Sequence, residues 1–422
     1  MKKYNILVFP CGSEIALELF NSLKYQKDIN LIGLSSVSDH GQYVFKNYID
    51  GCPFISENSF IDFIKKTVID YKIDFIYPCL DLAIEKLKKH ESELGCTVIS
   101  CPYSTTEIFL SKRKTYEYFK KLLRVPDILK KEDINTYPVF SKPEIGSSSR
   151  GTVKIENKDD LLYWTKKYPN NMLLEYLPGE EYTVDCFTTK NRKLKFIGPR
   201  KRARVSNGIS VGTTTFYDLE LEKIANIIND NIEINGAWFF QVKKDKNNSY
   251  KLLEIASRFA GSSSLNRILG VNFGYLNVIN YIYDDIEIIN NNINISIDRS
   301  LNIKAKLDLN FKSVYVDFDD TLIINDKVNE TLIKFLYNCI NNKKRIYLIT
   351  KHKYDVYDTL KNYKINSEIF NSIIKLNQYD LKSNYIVDEK PIFIDDSFSE
   401  RKEVYNKLKI PVFAPDCIEA LL

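Results

Sequence analysis

WFFQVKKD (residues 238–245) and KLLEIASRFAGSSS (residues 251–264) decide the reading of this 422-residue chain. Each opens as a short apolar run with the length and composition of a buried strand, and the two read as adjacent strands. They carry Gln241 and Glu254, with Arg258 just beyond. Gln241 taken alone fits a polar position on an edge strand.

Upstream, PVFSKPEIGSSSRG (138–151) reads as a strand carrying Lys142 and then a Gly/Ser loop. Small residues let backbone N–H groups approach an anion, and Lys142 adds positive charge. It is not a P-loop, because GxxxxGK[ST] is absent; alone it also fits a surface turn. MLLEYLPGEEYTVD (172–185) offers Glu175, Glu180 and Glu181 around a turn at Pro178-Gly179. GPRKRARVSNG (198–208) supplies Arg200, Lys201, Arg202 and Arg204, either a solvated face or a set that neutralises an anionic substrate. A Lys- and Tyr-rich helix, SKRKTYEYFKKLL (111–123), opens this α+β region, expected over residues 106–305.

Residues 1–105 alternate instead. YNILVFP (4–10), CGS and EIALELFNSLKY (14–25) read as strand, tight turn and amphipathic helix; INLIGLSS, a helix over 60–70, DFIYPC and a helix over DLAIEKLKKHESEL (81–94) follow. This predicts an open, mostly parallel sheet with helices on its faces. The Asn-rich stretch 284–297 is expected to be a surface connection or a last edge strand.

Residues 310–422 form a third unit in which SVYV (313–316) runs into Asp317-Phe318-Asp319-Asp320-Thr321, RIYLI ends in Thr350, and PIFI ends in Asp395-Asp396. In a parallel sheet these ends share the edge where ligands bind. Carboxylates that close repel, and a divalent cation neutralises them. The spacing of Asp317 and Asp319 lets one carboxylate attack while the next transfers a proton. The intervals leave no room for a large cap domain, so the substrate is large or another unit serves as the lid.

A lysine with a Gly/Ser loop, E-Y-L-P-G-E-E-Y, and Q followed by L-E-I-x-x-R-x-x-G, in that order, resemble the ATP-grasp superfamily in its carbamoyl-phosphate-synthase-like branch, over about residues 1–300. The resemblance implies that Lys112 and Lys142 contact nucleotide phosphates and adenine, and that the Gly146–Gly151 loop, with Ser147, Ser148 and Ser149, folds over the triphosphate. It implies an adenine hinge at Glu175, Tyr176 and Leu177, ribose binding by Glu181, and Arg202 near the triphosphate. Gln241 and Glu254 would hold Mg2+, and Arg258 would face an acyl phosphate. The implied reaction uses ATP to activate a small-molecule carboxylate, which an amine converts to an amide; the alternative is a kinase or a degenerate nucleotide-binding module. One position departs: the family's usual Asn ligand two residues after the Glu is Ala256 here, which cannot ligate.

The DxDxT run with the Thr-ended and Asp-Asp-ended strands is similar to the haloacid dehalogenase (HAD) phosphatases over about the last 110 residues. That resemblance implies Asp317 as nucleophile, Asp319 as general acid/base, Thr350 holding phosphate, and Lys382, preferred over Lys390, as the family's lysine. Asp317, Asp319, Asp395 and Asp396 would bind Mg2+. The expected fold is multidomain, α/β and α+β: an N-terminal open parallel unit plus an ATP-grasp fold, followed by a capless Rossmann-like HAD unit. The fusion suggests an amine that carries a phosphate, removed before or after coupling.

Composition agrees with a soluble enzyme. Hydrophobic residues are 44% and charged residues 27%, which excludes disordered, collagen-like and coiled-coil chains. A net charge of +5 is too weak to argue for nucleic acid. No apolar run approaches the ~20 residues of a membrane helix. Eight cysteines without a CxxC pair and without an export signal read as reduced thiols of a cytoplasmic protein. His40, His90 and His352 are isolated in sequence, which argues against zinc and against a Cys/His nucleophile pair. Small molecules are the expected partners, with self-association left open.

Overall fold

The computed structural model describes residues 2–146, 150–206, 209–300 and 303–422. The first sheet has five parallel strands in the order Asn47–Ile49, Ile29–Leu34, Tyr4–Phe9, Phe75–Pro78, Thr97–Val98. Strand Tyr4–Phe9 is buried on both sides. Ile6 and Val8 join a core with helix Phe273–Ile282, whereas Leu7 and Phe9 join one with helix Phe60–Asp70, the period-2 pattern of a covered parallel strand. The strand order reverses beside Tyr4–Phe9, so its carboxyl end and that of Phe75–Pro78 border a crevice. The helix expected over 81–94 is broken into Asp81–Lys89 and Glu91–Leu94. Two local bonds account for the break: His90 N–H closes onto Leu87 O (3.2 Å), and the Glu91 carboxylate takes the Val98 N–H (2.8 Å).

Two antiparallel sheets follow. The smaller has the order Ile128–Leu129, Asn171–Glu175, Val139–Pro143, Val153–Ile155. The larger runs Tyr250–Ala256, Gly236–Lys244, Glu181–Thr188, Leu194–Ser206, Ile209–Thr215, Ile295–Arg299, Ile303–Leu307. Gly236–Lys244 and Tyr250–Ala256 are neighbours, with Gln241 directly opposite Glu254.

The expectation for residues 284–297 needs correction. Ile295–Arg299 is an interior strand, and Ile286 and Ile289 before it are buried. Asn291 Nδ2 donates to Val412 O (2.7 Å) and Val412 N–H donates to Asn291 Oδ1 (3.1 Å). The asparagine thus satisfies backbone groups at an edge that would otherwise be open.

The last sheet is parallel, in the order Ser372–Lys375, Arg345–Thr350, Ser313–Val316, Pro391–Ile394, Val412–Phe413. Val316 is in register with Leu348 and Ile394, so Asp317, Thr350 and Asp395 leave the sheet at one edge. Only a hairpin of Ile323–Ile324 with Lys327–Val328 and helix Glu330–Asn341 separate the first two of these strands. Buried Arg267 ties the outer units together, donating to Glu18 Oε1 (2.7 Å) and to Asp416 O (2.6 Å). Among the described residues no helix is long and apolar enough to cross a membrane.

Candidate functional sites

A cleft lies between the two antiparallel sheets. Phe140 and Lys142, two apart on Val139–Pro143, both face it. Lys142 Nζ donates to Tyr116 Oη (2.7 Å) and to Leu253 O (3.4 Å). Burial pushes its ammonium down to about 7; Glu254 opposes this and Lys112 adds to it. Lys112 opens helix Lys112–Phe119 after the Ser111 cap; its Nζ donates to Gly146 O (2.9 Å) and lies 3.8 Å from Glu254. Arg202 Nη1 bonds Glu181 and, at 3.1 Å, Gln241 Oε1, and burial holds its guanidinium below the usual arginine range. Glu175 takes the Asp127 N–H (2.8 Å) and pairs with Lys251. Tyr176 and buried Leu177 continue the wall. Ala256 packs against Phe239 and Ala260 and adds no oxygen. Ser147, Ser148 and Ser149 lie outside the described residues.

The cleft opens into a cavity of about 540 Å³ that reaches the crevice of the first sheet. Arg258 lines this cavity, gripped by Asp81 at the carboxyl end of Phe75–Pro78, with Nε to Oδ1 at 2.7 Å and Nη2 to Oδ2 at 2.8 Å. The basic cluster 200–204 splits, by strand alternation over 200–202 and by a register shift after Arg202 that sets Arg204 apart. Lys201 pairs outward with Glu180 and Arg204 with Asp298, whereas Arg200 is buried on Asp185 and Arg202 enters the cleft. Sequence reasoning missed Asp81 and Asp185. Asp81 stood at a parallel strand's carboxyl end, the one signal that could have flagged it.

At the edge of the last sheet, Asp317, Asp395 and Asp396 each offer an oxygen within 4.8 Å of the others. Lys382 Nζ donates to Asp317 Oδ1 (2.5 Å) and Asp395 Oδ2 (2.6 Å). Lys390 is exposed and precedes Pro391–Ile394, so it sits at the opposite end of that strand from Asp395. Burial and the neighbouring Asp395 push the Asp317 carboxyl well above the usual range, against Lys382. Asp396 is pushed up to about 6 by burial, then by Asp395 and Asp320. Burial works against the Lys382 charge, but the two aspartates outweigh it and hold the ammonium above its ordinary value.

Asp319 does not join the three as a metal ligand, contrary to expectation. The chain turns after Phe318, with Asp320 at φ 54°, and the Asp319 carboxylate faces His352 Nδ1 at 2.9 and 3.0 Å. His352, isolated in sequence, therefore belongs to the site; its position two residues past Thr350 was the available signal. Its ring Nε2 meets Thr359 Oγ1 (3.1 Å), and its N–H donates to Oγ1 of fully buried Thr350 (3.0 Å). Lys27 of the first unit reaches over to Asp320 (2.7 Å).

Residues 167–297 match the family model described as "ATP-grasp in the biosynthetic pathway with Ter operon". The chain contains an ATP-grasp domain. Among solved structures, it is similar to the biotin carboxylase domain of Hydrogenobacter thermophilus 2-oxoglutarate carboxylase, in complex with MgADP, ADP and bicarbonate (TM-score 0.60, 16% identity, 71% of this chain and 75% of that one). It is also similar to an L-amino acid ligase from Bacillus licheniformis (0.57, 14%, 71% and 80%). A third likeness is to N5-carboxyaminoimidazole synthetase from Staphylococcus aureus (0.57, 17%, 71% and 83%). At these identities the likeness is one of fold. No curated protein sequence matches the chain.

Proposed function

We propose that the chain is an ATP-dependent carboxylate–amine ligase, with units at 1–105 and 106–305, joined to a Mg2+-dependent phosphomonoesterase of the HAD type at 310–422. One observation carries the ligase half: Lys112, Lys142 and Arg202 converge on a cleft with Glu254 and Gln241, and each is held by an acceptor that an anion can replace. Phosphoryl oxygens would take over from Gly146 O, Tyr116 and Gln241 as stronger, charge-assisted acceptors. Glu175, Tyr176 and Leu177 would meet adenine and Glu181 the ribose. A substrate carboxylate attacks the γ-phosphorus, ADP leaves, and an amine then displaces phosphate from the acyl phosphate to give the amide.

The carboxylate sets fit a hard cation. Gln241 and Glu254 are opposite on neighbouring strands, and Asp317, Asp395 and Asp396 present three oxygens to one point. Mg2+, when bound, neutralises phosphoryl oxygens. In the C-terminal unit Asp317 would attack the phosphorus of a monoester, Lys382 and Thr350 would hold the phosphoryl group, and Asp319, oriented by His352, would give the leaving oxygen its proton.

The test is a screen of ADP release across carboxylate and amine pools, read by mass. Lys142→Ala should stop coupling, and Asp317→Asn should let a phosphorylated amide accumulate. Absence of ADP with every pair refutes the ligase reading. Ala256, with Arg202 bonded to Gln241, favours a second reading as a kinase or nucleotide-binding module; MgATP binding without coupling would select it.

A further inference from the structure

Arg200, Arg258 and Arg299 share the wall of the cavity that joins the nucleotide cleft to the first sheet's crevice. Each guanidinium is gripped by one carboxylate: Arg200 Nε by Asp185 Oδ2 (2.6 Å), Arg258 by both Asp81 oxygens, and Arg299 Nη2 by Glu14 Oε2 (2.7 Å). Asp81 and Glu14 come from the first unit, so this wall exists only where two units meet. A guanidinium carries five N–H donors in a fixed fork, and one carboxylate cannot use them all. Arg200 is only 1% exposed, yet its Nη1 has no partner among the described residues, and Arg299 Nη1 is buried in the same condition. Buried charged donors are normally satisfied. Gly261 packs closely against Arg299, where a Cβ would come 3.1 Å from that Nη1.

We propose that this cavity selects a small acid bearing a second anionic group, a dicarboxylate or a phosphorylated carboxylate. The reacting carboxylate lies toward Arg258 and Glu254, and the second group lies at the spare donors of Arg200 and Arg299. Holding each guanidinium from behind aims the fork without supplying its last partner, so an acid with one charge leaves those donors unmet and a dianion satisfies them. Arg200 and Arg299 are then specificity-determining residues. The inference rests on the ligase reading of the neighbouring cleft.

Calorimetric titration of the full chain, with MgADP present, against butyrate, succinate and 3-phosphoglycerate tests it. At least one dianion should bind about tenfold or more tighter than butyrate, and whichever does so identifies carboxylate or phosphate as the second group. Arg299→Gln, and Arg200→Lys, which keeps a charge beside Asp185 but lacks Nη1, should each cut that preference to about threefold or less and leave butyrate affinity unchanged. Equal binding of the three acids, no binding of any, or a preference that survives both substitutions overturns the proposal. MgADP is titrated separately. Selective dianion binding without nucleotide binding would sink the ligase reading alone, and nucleotide binding without dianion preference would sink this proposal alone.

Discussion

Lys142 should make nucleotide binding pH-dependent in a way that an ordinary surface lysine would not. Its ammonium is buried, bonded to a tyrosine hydroxyl and a carbonyl, and lowered to about 7. Free chain at pH 8 therefore holds this lysine largely neutral. A phosphate in the cleft favours the charged form and draws a proton in, so binding should take up close to one proton at pH 8 and almost none at pH 6. Above pH 7 the affinity for MgADP should fall by about tenfold per pH unit until the pKa of the bound form is reached. Stability moves the other way. The folded value lies below the 10.5 of a free lysine, so the unfolded chain binds more protons between those two values, and this group's contribution to stability rises with pH across that window. Calorimetric titration of MgADP in buffers of different ionisation enthalpy, from pH 6 to 9, reads the proton count directly. Lys142→Met should abolish the uptake and cost about 10- to 100-fold in affinity, the worth of a charge-assisted hydrogen bond. Proton-neutral binding at pH 8, or an affinity flat from pH 6.5 to 8.5, would refute the reasoning.

Lys382→Met leaves Asp317 and Asp395 buried without a cation and should cost about 3–5 kcal/mol at pH 7.5. Both carboxyls have folded values above their ordinary ones, so the loss should shrink as pH falls, and urea unfolding at pH 5 and 7.5 would show it; a loss equal at both would count against the coupling. Ala256→Asn adds an oxygen donor two residues after Glu254 and should lower, several-fold, the Mg2+ needed for half-maximal stabilisation by ADP in a thermal-shift assay. Arg267→Met strips the buried partner from Glu18 and one donor from Asp416 O, and should cost about 3–5 kcal/mol in urea unfolding, with Arg267→Lys recovering part of it.

What could be read from residues alone was whatever the backbone period carries. Gln241 and Glu254 interrupt apolar runs of strand length, and pairing them followed from adjacency. The ends at Asp317, Thr350 and Asp395 were legible because parallel strands in register must release their next residues at one edge. The grips on the arginines were not legible: Asp81 meets Arg258 across two units, and no spacing links them. His352 met Asp319 through a turn whose direction depends on Asp320 at a left-handed φ, which an acidic run does not announce. The stretch 284–294 misled because alternating Asn and Ile look like a surface connection, while Ile289 and Asn291 are spent inside the last unit.

Those two residues also decide where the polypeptide can be divided. A cut between Leu307 and Ser313 respects every sheet, yet it would strand Ile289 with the wrong fragment and strip Val412 of its amide partner. The seam between these units is thus not a linker but a shared rib: a break upstream of Ile286 would instead take Ile286 from the first unit's core and Ile295–Arg299 and Ile303–Leu307 from the larger sheet.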